Sequence, residues 1–235
     1  NYCGLVVDAE AERLGIEGFR LGPDEEAADA ETWRIWQANN LDTYFDQGIL
    51  EALIGGCSYI LVAPNPDDRP TPFVSVEHAA QAIVAFVPGT NRRKSMAALK
   101  VWTDEWTGRL EATLYLPDLL YKFASASKAD TEAQRVQWAP RLVEGEDWPA
   151  RNPLGVVPMF EVPNRPRLLT GGVSELADIL VVQDRINKTL ADRLMTQDFG
   201  AFPQWWATGF PETDTDGNPQ RIEIGRNRLI KTDVA

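Results

Sequence analysis

The chain has a single histidine, His78, in 235 residues. Any Ser/His/Asp or Cys/His system would have to run through it, and no nucleophile-elbow spacing surrounds the nearby Cys57 or Ser58. A cap or surface position at the start of a short helix is the better reading of His78. Cysteine is scarce too. Cys3 and Cys57 stand alone without a CxxC pair, so neither a disulfide framework nor a zinc site is supported, and two buried free thiols in a reducing compartment are expected. No apolar run approaches the ~20 residues that cross a bilayer, and no signal peptide opens the chain. There is no GxxxxGK[ST] loop, and no GxGxxG follows a strand. Positive charge is in deficit: 23 Lys and Arg face 35 Asp and Glu, a net charge of -12. A protein that grips nucleic acid gains its affinity from Lys and Arg displacing counterions from phosphate, so this balance argues against gripping. It leaves room for a protein past which DNA slides. The one basic run, Arg92-Arg93-Lys94, lies beside a β-turn and is too short for a nucleic-acid patch.

What is present is ordinary globular material, 44% apolar and 25% charged, long enough for one large domain or two small ones. Residues 2–21 read as a strand or short helix and a turn. A helical pattern runs from Ala30 to Gln37, Asn39-Asn40 breaks it, and Leu41 opens a second helix. There Leu41, Tyr44, Phe45, Ile49, Leu53 and Ile54 recur at helical spacing, and Gly55-Gly56 supplies the C-cap. Strands follow at 58–63, 73–76 and 81–87. A hairpin is expected from 94–105 and 109–116 around Trp106-Thr-Gly108, with a further strand at 121–123. Trp138 and Trp148 are expected to fold back onto this sheet. The fold class is α+β: a mixed helical and antiparallel β domain, then a long helix and a β-hairpin segment at 221–231.

The stretch from Asn152 to Gly209 stands apart. A Pro/Gly-rich extended run, Asn152 to Asn164, leads to a Gly171-Gly172 break and then to a helix over about 174–196, with Ser174 as N-cap and Glu175 and Asp178 near the positive end of its dipole. Leu176, Ile179, Leu180, Ile186, Leu190, Leu194 and Met195 form its apolar stripe, opposite Asp184, Arg185, Lys188 and Asp192. A helix of this length needs a partner, in this chain or a neighbouring copy. The segment from Phe199 to Trp206 is too rich in Gly and Pro to continue it.

Three constellations compete with a purely structural role. Glu212, Asp214, Asp216, Gly217 and Glu223 fall at calcium-loop positions, but Glu stands first instead of Asp, Pro219 interrupts, and no helix precedes; a solvated turn is the better reading. Asp67-Asp68 and Asp104-Glu105 are carboxylate pairs in turn-like contexts, and neighbours on a strand point to opposite faces. Trp205-Trp206 and Trp102/Trp106 could stack on sugars, which keeps a carbohydrate-binding or hydrolytic module as the alternative; core and interface packing is the stronger reading. No catalytic, cofactor-binding or metal-ligating residue is assigned, and no cofactor or enzymatic activity is expected.

Several phrases taken together resemble the portal proteins of tailed phages, most closely those of long-tailed phages and prophages of actinobacteria. Asp8-Ala-Glu-Ala-Glu-Arg-Leu14 with Gly18-Phe19 resembles the opening of the family's wing region, and Trp36-Gln-Ala-Asn-Asn-Leu-Asp42 its following helix break. Gly56-Cys-Ser-Tyr-Ile-Leu-Val62, Pro88-Gly-Thr-Asn-Arg-Arg93, Ala112-Thr-Leu-Tyr-Leu-Pro117 and Tyr121-Lys-Phe123 resemble its β-rich core. Asn152-Pro-Leu-Gly-Val-Val-Pro158 and Gly172-Val-Ser-Glu-Leu176 resemble the approach to the stem. Val87 departs from the Asp that the family commonly has there, a turn detail. The resemblance implies a wing-like domain over 1–150, an extended connector over 151–172, a stem-type helix over 173–198 and the start of a clip-like segment over 199–235. It implies a ring, typically of twelve subunits, at a capsid vertex of the virion, assembled in the host cytoplasm, with no membrane partner. The implied partners are the terminase, capsid or scaffold proteins, head-tail connector proteins, and double-stranded DNA passing without sequence specificity. Leu176, Ile179, Leu180, Ile186, Leu190 and Leu194 are then expected to pack against the wing or a neighbouring subunit. The start at Asn1 and the end at Ala235 read as a piece of a longer protein, and this piece is expected to be monomeric in isolation, unlike the whole ring-forming subunit.

Overall fold

The computed structural model describes residues 2–22, 28–128, 136–168 and 171–201. The expected calcium-like turn at 212–223, the hairpin at 221–231, Trp205-Trp206 and nearly all of the clip-like segment lie outside the described residues. The chain divides into two compact units, 1–184 and 185–235.

Three helices open the first unit: α1 (Cys3–Ala11), α2 (Ala30–Ala38) and α3 (Leu41–Gly55). Asp29 caps α2, its carboxylate accepting from the Thr32 N–H at 2.6 Å. Asn40 takes a left-handed φ of 51°, which turns α2 back into α3. The Trp36 indole Nε1–H donates to Asp42 Oδ1 at 2.6 Å, and Trp36 packs between Phe19 and Phe45. Cys3 and Val7 of α1 are buried, and α3 lies on strands β1 (Cys57–Ala63) and β2 (Phe73–Glu77).

The strands form two antiparallel sheets. The first has the order β2-β1-β9, with β9 at Met159–Pro163. The second runs β3 (Ala82–Phe86), β4 (Ser95–Thr103), β5 (Arg109–Tyr115), β6 (Leu119–Lys128) and β7 (Trp138–Pro140), with β8 (Ala150–Arg151) also on β6. The core cluster joins β1, β3, β4 and β9 through Tyr59, Leu61, Ala82, Val84, Ala98, Val157 and Met159. This explains the continuous apolar run in β1. Tyr59 and Leu61 face the core, while Ser58, also buried, faces helix α3 at Gly48. A central strand covered on both sides shows no alternation, whereas β3 alternates cleanly, with Ala82 and Val84 in and Ile83 and Ala85 out.

Some expectations change. His78 does not start a helix. It sits in the turn between β2 and β3, where its Nδ1 accepts from the Ala80 N–H at 2.8 Å and its Nε2 meets Glu51 at 2.9 Å. Cys57 is half-buried, not buried. In β5 the adjacent Ala112 and Thr113 are both buried, so the strand is covered on both faces there. Trp148 does return to the sheet, edge-on to Tyr121 and Phe123, donating to the Lys122 carbonyl at 2.8 Å. Trp138 joins the sheet in β7 opposite Ser125.

The long helix, α4, spans Leu176–Ala201. It starts two residues after Ser174 and runs through Phe199 and Gly200. A single glycine costs a helix about 1 kcal/mol relative to alanine, which does not end it.

Candidate assembly site at the base of the long helix

The last carbonyls of a helix have no partner within it. In α3 these are supplied by the segment that launches α4. The Leu53 carbonyl accepts from the Glu175 N–H at 2.9 Å, and the Ile54 carbonyl from the Ser174 hydroxyl at 2.5 Å. The Gly56 N–H closes the helix onto Ala52 at 2.8 Å, with a φ of 90° that favours glycine. The same Ser174 oxygen accepts from the Leu176 N–H at 3.1 Å. Ser174 is thus one hydroxyl serving two helices, ending α3 and beginning α4.

Asn164, the residue that follows β9, ties that strand into this junction. Its N–H donates to the Gly56 carbonyl at 2.9 Å, and its own carbonyl accepts from the Val173 N–H at 2.8 Å. Its side-chain amide donates to the Val173 carbonyl and to Glu175 Oε1, both at 2.8 Å. Glu175 is further held by Arg165, Nε to Oε1 at 2.6 Å. Gly172 allows the close approach. A Cβ there would stand 1.8 Å from the Gly56 carbonyl oxygen. About two turns into α4, Gln183 is buried and accepts from the Tyr2 N–H at 2.8 Å. The base of α4 is therefore bound to α3, to β9 and to the N-terminal segment.

The helix itself is amphipathic and largely exposed. Leu176, Ile179 and Ile186 are half-buried, while Leu180, Leu190 and Leu194 are each more than half exposed, as are Val181, Val182, Met195 and Phe199. At 3.6 residues per turn, Leu176, Leu180, Gln183, Leu190 and Leu194 fall along one face. The structure brings the six expected stripe residues onto one helix and half-buries three of them, Leu176, Ile179 and Ile186. Asn164, Gly56, Glu175 and Gln183 were not singled out from sequence as one junction. The clue was two Gly-Gly pairs, one at the end of α3 and one before α4.

The other sequence candidates do not converge. Asp67 and Asp68 lie in an exposed turn whose N–H groups donate to Asn65 Oδ1. Asp104 holds the β4–β5 hairpin: it accepts from the Thr107 hydroxyl at 2.5 Å and the Thr107 N–H at 3.1 Å, which keeps its carboxyl below the usual carboxylate range. Lys100 and Arg141 lie over the Trp102 ring, and Trp106 projects alone at the hairpin tip. Among the described residues no three His, Cys, Asp or Glu side chains gather as a metal-holding group. No described helix is long and apolar enough to cross a membrane.

An α+β domain that clamps the base of a long, open, amphipathic helix defines a structural module that presents that helix. Comparison with known proteins places it. Residues 1–234 match the family described as phage portal protein, SPP1 Gp6-like. The chain is 34% identical to the portal protein of Mycobacterium phage L5 over 176 residues, 72% of this chain and 32% of that protein. It is 34% identical to the portal protein of Mycobacterium phage D29 over 175 residues, 72% of this chain and 33% of that protein. The chain belongs to the phage portal protein family. It spans about a third of the length of the curated relatives it matches.

Proposed function

We propose that this chain is the wing-to-stem portion of a portal subunit, with a wing over 1–150, a connector over 151–172, a stem-type helix over 173–198 and the start of a clip over 199–235. In the whole subunit it contributes to a ring, taken as a dodecamer, at the capsid vertex through which DNA is packaged and later ejected. The terminase, capsid or scaffold proteins and head-tail connector proteins are the partners of that ring, and the virion is its site. The observation that carries this reading is the contrast along α4: a base held by hydrogen bonds to three elements, then an apolar face left open. A closed ring needs a heterologous interface, in which one surface of each subunit meets a different surface of the next. Leu180, Leu190 and Leu194 supply apolar area for it, and burying a leucine fully contributes about 1.5–3 kcal/mol. The net charge of -12 fits a conduit, because an acidic wall repels phosphate and lets DNA pass.

The test places Leu190→Asp together with Leu194→Asp in the complete subunit and counts rings by mass photometry. Loss of the ring, with unfolding of the isolated chain at the wild-type denaturant concentration, is the expected result. Wild-type ring yield from the double variant would sink the proposal.

A further inference from the structure

An open pocket of about 510 Å³ lies between the β3–β4 turn and β9. Its walls are largely apolar, with Phe86, Met159, Phe160, Pro163 and Leu168 among them, and the Glu161 carboxylate that also lines it is neutralised by Arg92. Its rim is basic. Arg93 and Arg167 line it, both exposed, and neither has a carboxylate partner among the described residues. Unpaired cations meeting at one apolar pocket stand out in a chain of net charge -12. The turn that presents them is held in a costly shape: Asn91 and Arg92 both take left-handed φ, 50° and 61°. Thr90 and Lys94 hydrogen-bond the turn to Val87, and the Arg92 guanidinium braces it by pairing with Glu161 while lying 4.5 Å over the Phe86 ring.

The pocket also borders an open strand edge. In the sheet order β2-β1-β9, β9 has a neighbour on one side only. The Val62 N–H donates to the Pro158 carbonyl, which fixes the phase of the ladder. Opposed residues alternate between bonded and non-bonded pairs in an antiparallel ladder. Phe160 and Val162 therefore turn their backbone groups to β1, and Glu161, opposite Tyr59, turns its N–H and C=O away. No described residue hydrogen-bonds those outward groups.

The geometry points to this pocket as a docking site for an extended acidic peptide of a partner protein, added beside β9 with one apolar side chain in the pocket and its carboxylates on Arg93 and Arg167. The three elements of such recognition are all here: backbone groups for the strand, a pocket for the anchor, and cations complementary to the peptide's charge. DNA fits less well, because phosphate needs no apolar pocket and no strand edge.

The test measures fluorescence anisotropy of a labelled decapeptide alternating Asp and Glu with Phe and Val, titrated with the full chain. Saturable binding is expected, weakened about tenfold or more in Arg93→Glu with Arg167→Glu, as for the loss of charge-assisted contacts. Phe160→Ser and backbone N-methylation of the peptide are expected to weaken it as well, with circular dichroism unchanged. No saturation by about 1 mM, equal binding of a peptide with Lys for every acid, or an affinity untouched by the charge reversal would each overturn the assignment. So would a DNA duplex of equal length that competes with the peptide and binds more tightly.

Discussion

Replacing Gly172 with alanine should destabilise this protein by about 3 to 4 kcal/mol. The added Cβ would stand 1.8 Å from the Gly56 oxygen and 2.9 Å from its carbonyl carbon, and both atoms are backbone. Contacts of a Cβ below 3.0 Å are not found in real structures, so the two strands of the junction must separate by more than about 1 Å. That separation breaks the bond from Asn164 N–H to the Gly56 carbonyl, and it loosens those from Val173 N–H to Asn164 and from Glu175 N–H to Leu53. At about 1 kcal/mol each, the three account for most of the expected loss, and strain adds the rest. The opposing effect, lower entropy of the unfolded chain, restores only about 0.4–1 kcal/mol.

Urea denaturation followed by tryptophan fluorescence measures the loss, and hydrogen exchange at Gly56, Val173 and Glu175 locates it. Gly55→Ala is the internal control. It lies one residue before the left-handed Gly56, with nothing within 4 Å of its Cβ, so alanine there should be neutral or stabilise the end of α3 by up to about 1 kcal/mol. A Gly172→Ala protein within about 0.5 kcal/mol of wild type would refute the reasoning, since ordinary surface changes fall in that range.

Other outcomes follow from the same geometry. Asn164→Asp removes the amide donors to Val173 and Glu175 and sets a second carboxylate against Glu175; a loss of about 2–3 kcal/mol in denaturant melts is expected. Met159→Ala, at a side chain 1% exposed in the core, should cost about 2–5 kcal/mol by calorimetry. Tyr115 is pushed up to about 12, chiefly by burial and then by the Glu77 charge, and burial raises Tyr59 as well. Their raised values add stability that is complete below the ordinary tyrosine value of 10 and is lost as pH rises toward 12, so Tyr115→Phe should flatten the alkaline limb of a stability–pH curve. Asp104 works in the opposite sense: its depressed value adds stability above the ordinary carboxylate range that fades as pH falls, and Asp104→Ala should remove that acid dependence, read as exchange of the Thr107 and Gly108 amides.

Much of the fold was readable from local pattern. The spacing of Leu41, Phe45, Leu53 and Ile54 and the closing glycines gave α3 to within a residue, because an amphipathic face and a C-cap are both local. Strand positions from β1 to β6 followed from short apolar runs between turns. The start of α4 was harder. Ser174 reads as an N-cap, yet its hydroxyl is shared with the end of α3, 120 residues earlier in the chain, and no local rule contains that partner. His78 was misplaced for a similar reason: a turn bonding its Nδ1 to Ala80 and a helix cap look alike in sequence.

The candidate site was legible only in part. The six apolar positions of α4 declare themselves by spacing, but spacing cannot say which are covered. Gln183, a polar residue on that same face, is the one described as buried, because the Tyr2 N–H reaches it from the other end of the first unit. By itself, the sequence determined the elements, the scarcity of reactive groups, the acidic balance and the existence of a long amphipathic helix, since each depends on residues within a few positions of one another. Tertiary structure alone decided that Gly56 and Gly172 meet, that Asn164 locks three segments together, and that Arg93 and Arg167 border one pocket. Gly56 with Asn164 and Gly172, and Arg93 with Arg167, stand some 70 to 120 positions apart in the chain, and only the folded packing of the sheets and helices brings them together.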